Sequence, residues 1–171
     1  MLPDTRVCGY ISALNTILRI IWLDMTNFDP ENANQVGRAL KGFGVNLLVR
    51  DIRKTLNYLV SILGFEVISS SRDYALLSLA GQLYQLHPDH TYSQNPLLSL
   101  VPESGPRGGG VELRLFNVDP DKAERKARES GYQVLMGATD KPHGLRECFL
   151  LDPDGYCWVP SVAKLADNNN D

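Results

Sequence analysis

Between Ile52 and Leu63 the apolar residues Ile52, Leu56, Leu59, Val60 and Leu63 recur at helical spacing and predict an amphipathic helix. Asp51 stands just before it, where a carboxylate accepts from the orphan N–H groups of the first turn. Gly64 follows and supplies the left-handed residue that ends a helix. The flanking runs Val45–Val49 and Phe65–Val67 read as strands. Further on, Tyr74–Leu79 and Leu83–Leu86 are strand runs, with Arg72-Asp73 as a turn before them and Ala80-Gly81 between them.

The same order returns later in the chain. Val111–Val118 is a strand run, and Asp119 caps a helix with Pro120 at its first position, where a missing N–H costs nothing. Lys122–Glu129 is strongly helix-forming, with Ala123 and Ala127 as a thin apolar seam. Gly131 ends it, and Tyr132-Gln133-Val134 mirrors Phe65-Glu66-Val67. The second cap lies 68 positions after the first, and Gly155–Val159 matches Gly81–Gln85 at an offset of 74. Each copy therefore reads strand, helix, three strands. A repeat present only twice points to one pseudo-symmetric domain, with Asp152-Pro153-Asp154-Gly155 as a tight turn between its last strands.

Composition narrows the classes. With 171 residues, 43% of them hydrophobic, the chain suits a single cored domain. A net charge of −3 without a basic patch disfavours nucleic acid. Cys8, Cys148 and Cys157 make no disulfide framework, so a reducing, cytoplasmic setting is expected, with Cys148 and Cys157 as core cysteines.

Three segments flank or join the copies. Residues 1–43 read as a helical extension, in which Ile11, Leu14, Leu18, Ile21 and Trp22 share one face. Arg19 and Asp24 interrupt any membrane span there, and the first residues are a poor signal peptide. Residues 1–24 are read either as an amphipathic helix packed on the domain or a partner, or as a segment ahead of a natural start at Met25. A short helix is expected over 32–40. The domain spans 44–161, with modules 44–87 and 111–161 and a Pro/Gly/Ser-rich linker over 88–110. Within the linker, Leu97–Val101 is read as a short strand or a dimer contact, and residues 162–171 as a disordered tail.

Val49, Asp51, Thr55, Leu56 and Tyr58, followed by Leu63-Gly64-Phe65-Glu66-Val67 and a closing Asp152-Pro153-Asp154-Gly155-Tyr156, resemble the vicinal oxygen chelate superfamily. That family holds glyoxalases, bleomycin-resistance proteins and extradiol dioxygenases. The resemblance implies an α+β fold: two βαβββ modules forming an eight-stranded curved cleft, with the helices outside. It implies metal ligands seven residues before each cap Asp and four residues after the Gly of each later strand. Here those positions hold Gly44, Glu112, Gln85 and Val159, which the internal repeat also pairs. Two of the four lack a ligating side chain, so the usual metal quartet is not expected.

Strand alternation puts Asn46, Arg114, His87 and Ser161 on the same face as that quartet, and a slip of one residue would turn all of them outward. Asn46, Gln85, His87, Arg114 and Ser161 are the candidate ligand-binding residues. Glu112 is a candidate base, or else an ion-pair partner of Arg114 or Arg146, which is the commoner role for such a carboxylate. Gln85, His87 and Glu112 form the alternative metal set, for zinc, nickel, manganese or iron. Two functions follow: a small-molecule binding protein without a metal, or a metal-dependent lyase, isomerase or dioxygenase of the glyoxalase kind. A homodimer is expected, with the two modules paired within one chain or swapped between chains.

Overall fold

A computed structural model describes residues 37–38 and 42–164. The expectations for residues 1–36, for most of the 32–40 helix and for the tail beyond Lys164 lie outside the described residues.

The first module runs β1 (Val45–Val49), α1 (Ile52–Leu63), β2 (Glu66–Ser70), β3 (Ala75–Leu79) and β4 (Gln82–Pro88). The second runs β5 (Glu112–Phe116), α2 (Pro120–Glu129), β6 (Val134–Asp140), β7 (Leu145–Leu151) and β8 (Cys157–Ala163). Asp51 accepts from the backbone N–H groups of Arg53 and Lys54, and Asp119 accepts from that of Lys122. Gly64 closes α1 at φ 79°, a conformation that would strain a side chain. Both caps and both stops thus fall where the sequence puts them.

The eight strands divide into two four-stranded sheets of matching order, β1-β4-β3-β2 and β5-β8-β7-β6. In each, the first strand runs parallel to the last and the other pairs are antiparallel. One hydrophobic cluster joins both modules, from Leu47, Val49, Leu59, Leu77 and Leu86 to Leu115, Ala127, Cys148, Leu150 and Trp158. Phe65 is its aromatic hinge. Its ring lies edge-on to Tyr84 of the first sheet at 4.9 Å and to Trp158 of the second at 5.4 Å.

Three local expectations are corrected. The buried stripe of α1 is Ile52, Thr55, Tyr58, Leu59, Ile62 and Leu63, while Val60 is 42% exposed. Thr55 and Tyr58 count as polar in a simple pattern, so the apolar stripe read from sequence is rotated toward Val60. Leu97–Val101 is no strand. Pro96–Leu100 is a 3-10 turn capped by the Asn95 side chain, and Pro96 has no N–H to give a ladder. Cys148 is in the core, but Cys157 is half-buried opposite Glu112, on the other face of its sheet.

Tyr58 is fully buried, packs edge-on against Tyr132 at 4.8 Å, and its hydroxyl has no hydrogen-bond partner. Burial, and then the nearby Asp152 carboxylate, push that hydroxyl well above the usual phenol pKa. A buried polar atom without a partner costs stability, so Tyr58→Phe is expected to raise the unfolding free energy by about 1 kcal/mol. Urea denaturation reads this directly. A lower midpoint in the Phe variant would show that the hydroxyl has a stabilising partner.

Candidate functional site

With Val45, Leu47, Val49, Tyr84 and Leu86 turned to the core, alternation turns Asn46, Gln85 and His87 to the opposite face of the first sheet. Asn46 pairs with Gln85 in the ladder, two residues from Leu48–His87. In the second sheet Leu113, Leu115 and Trp158 face the core, which leaves Glu112, Arg114 and Val159 on the other face. The strand register read from sequence therefore holds for both copies.

The first face carries an aromatic and polar cluster. The His87 ring lies between Tyr74 at 5.0 Å and Tyr92 at 5.2 Å, both tilted. The Tyr74 hydroxyl donates to Gln85 Oε1 at 3.3 Å, and the Asn46 amide donates to the Tyr92 hydroxyl. Burial lowers the His87 imidazole below its usual pKa and so favours its neutral form. Tyr92 comes from the linker, in a 3-10 turn over Asp89–Tyr92. Arg107 holds that turn in place. Its side chain is 1% exposed, and its guanidinium donates to both Asp89 carboxylate oxygens at 2.6 Å and to the Leu48 carbonyl at 3.2 Å.

The second face is charged. Arg114 donates to Glu112 Oε2 at 3.1 Å and to the Glu147 carboxylate. Glu147 lies on β7, on the face opposite Cys148 and Leu150, and its side chain is only 3% exposed. His143, from the β6–β7 hairpin, stands 3.5 Å from Glu147 Oε2. Glu112 thus has the ion-pair partner anticipated in Arg114, while Arg146 turns to Asp121 and Asp140.

The candidate residues are not all available to a ligand. Asn46, Gln85 and His87 meet in the first cluster, and Glu112 and Arg114 meet in the second. Ser161 is fully buried, and its hydroxyl donates to the Leu115 carbonyl. At the four metal positions, Gly44 has no side chain and Val159 is apolar and fully buried. Gln85 and Glu112 are held by Tyr74 and Arg114. Among the described residues, no three His, Cys, Asp or Glu side chains are grouped to hold a metal ion.

Sequence reasoning missed Glu147, His143, Tyr74 and Tyr92. Glu147 had a signal, since it is the one acid in β7 and its parity opposes the core positions. Tyr92 had none, because no periodicity ties a linker residue to a strand face.

Paired βαβββ modules around a shared core, each keeping a polar sheet face, define a two-module α+β class. The chain belongs to the Glyoxalase/Bleomycin resistance protein/Dioxygenase superfamily, whose family model matches residues 43–159. Its fold is similar to that of a glyoxalase/bleomycin resistance protein/dioxygenase from Nocardioides, with TM-score 0.56 and 16% identity over 84% of this chain and 99% of that one. It is also similar to a family enzyme from Burkholderia phytofirmans PsJN, with TM-score 0.60 and 20% identity over 70% and 96% of the two chains. TioX from Micromonospora sp. ML1 gives TM-score 0.51 and 19% identity over 74% and 98%. At such identities the likeness is one of fold. None of the curated proteins matches the chain. No helix among the described residues is long and apolar enough to cross a membrane.

The second face makes a testable unit. Removing Arg114 leaves Glu147 buried with one partner fewer. Because Arg114 is 30% exposed, solvent screens part of the pair, and a double-mutant cycle of Arg114→Ala with Glu147→Ala is expected to give a coupling of about 1–2 kcal/mol. Additive effects in urea denaturation would contradict the pairing.

Proposed function

We propose that the chain binds a small organic molecule on the polar faces of its sheets and does so without the family's metal quartet. The observation that carries this reading is the donor set at the four repeat-matched positions. One has no side chain, one is a buried valine, and the remaining two are already hydrogen-bonded by neighbours. A divalent ion needs about three protein ligands in a catalytic site, and this set falls short of that. The groups that remain suit an uncharged or weakly charged ligand. Tyr74, His87 and Tyr92 offer flat rings for stacking, and Asn46 and Arg114 offer donors.

A thermal-shift screen of small aromatic and carbonyl compounds, with and without zinc, nickel, manganese or iron(II), tests the reading. A compound that raises the melting temperature without added metal, with a smaller rise in Tyr92→Ala or Arg114→Ala, is the expected result. Tight metal binding lost in both Glu112→Ala and His87→Ala would instead support the metal-dependent lyase, isomerase or dioxygenase.

The working form in this reading is a cytoplasmic homodimer. The sheet order leaves β1, β2, β5 and β6 as edges, and Phe43, Leu100 and Phe116 are 84%, 80% and 60% exposed. Open edges and exposed large apolar groups favour being covered by a second copy. Sedimentation at micromolar concentration is expected to give twice the monomer mass. A monomer alone at that concentration would contradict the dimer.

A further inference from the structure

A recess of about 630 Å³ lies outside both polar faces, where the first turn of α1 meets the ends of β2 and β4. Ile52, Leu56 and Pro88 give it apolar lining, while Arg50, Arg53 and Arg72 bring positive charge. Its charges are not balanced within the recess. Arg50 is committed to Asp154 at 3.0 Å and to the carbonyls of Pro102, Glu103 and Gly105. Asp51 is the one acid in the lining, and its carboxylate accepts the backbone N–H groups of Arg53 and Lys54. His90 is paired with Asp73 at 2.7 Å. Among the described residues neither Arg53 nor Arg72 has an acidic partner.

Two such guanidinium groups thus stand beside the apolar part of the lining. Guanidinium forks match carboxylate, sulfonate and phosphate geometry, and the attraction weakens with salt. The apolar lining adds a preference for a ligand with a hydrocarbon or aromatic body, since water released from it stabilises the complex. Ile52 and Pro88 are buried against the domain, so half-buried Leu56 is the apolar surface that a bare inorganic anion would leave uncovered.

We propose that the recess lined by Arg53, Arg72, Ile52 and Leu56 is a binding site for an organic anion carrying an apolar body. Because Arg53 and Arg72 are exposed, truncating them leaves the core untouched.

The probe is 8-anilinonaphthalene-1-sulfonate, titrated into the full chain and followed by fluorescence and by amide NMR shifts. Saturable binding is expected, with shifts concentrated over residues 50–56, 70–72 and 88–90. The double variant Arg53→Ala/Arg72→Ala is expected to bind about tenfold more weakly or worse, the loss that follows from removing charged hydrogen bonds. Arg125→Ala, an exposed arginine on α2 away from the recess, is expected to bind as the unaltered chain does. Sodium sulfate at matched ionic strength is expected to displace the dye only at far higher concentration than the dye itself. An unchanged affinity in the double variant, an equal loss in Arg125→Ala, or no saturable binding would each overturn the site.

Discussion

The carboxylate of Asp154 is 2% exposed and joins the two modules at one point. It accepts from the Arg50 backbone N–H and guanidinium at 3.0 Å each and from the Thr55 hydroxyl at 3.2 Å, and Arg107 Nε lies 3.7 Å away. Arg50 and Thr55 bracket the start of α1 in the first module, Asp154 turns β7 into β8 in the second, and Arg107 belongs to the linker. A buried carboxylate is costly unless paired and hydrogen-bonded, and here it is both. The turn that aims it is built by Asp152, which accepts from the N–H groups of Asp154 and Tyr156 and from the Trp158 indole. Gly155 completes the turn at φ 81°, where a side chain would meet Pro106 Cα at 2.5 Å. The linker therefore packs directly on the turn.

That junction decides where the polar chemistry falls. With α1 pinned at its first turn, its buried stripe, Phe65 and Trp158 fill the space between the modules, and the core-facing parity of every strand is fixed. The opposite parity carries the two polar clusters. The two faces then diverge because the linker is asymmetric. Arg107 spans Asp89 and the Leu48 carbonyl, which sets the 3-10 turn that carries Tyr92 onto His87. The face of the second copy is furnished from within by Arg114, Glu112 and Glu147.

Much of the fold is legible in the residues because its signals are local. Asp51 and Asp119 cap, Gly64 and Gly131 stop, and the offset between copies aligns the strands without any tertiary information. Face assignment is legible for the same reason, since alternation needs only one correct anchor per strand. What is not legible depends on contacts distant in sequence. Thr55 is buried because Asp154, far along the chain, supplies its partner. Ser161 looks like a cleft donor until the Leu115 carbonyl beside it is known. Tyr92 reaches His87 only through the fold of the linker.

If the Asp154 junction binds the modules into one structure, they unfold together. Scanning calorimetry of the chain and of Asp154→Asn tests this most directly. One transition is expected for the unaltered chain, with equal calorimetric and van't Hoff enthalpies. The Asn variant, which leaves Arg50 and Arg107 short of their countercharge, is expected to melt lower or to split into two transitions. Two separate transitions in the unaltered chain, or an unchanged melting temperature in the variant, would contradict the account.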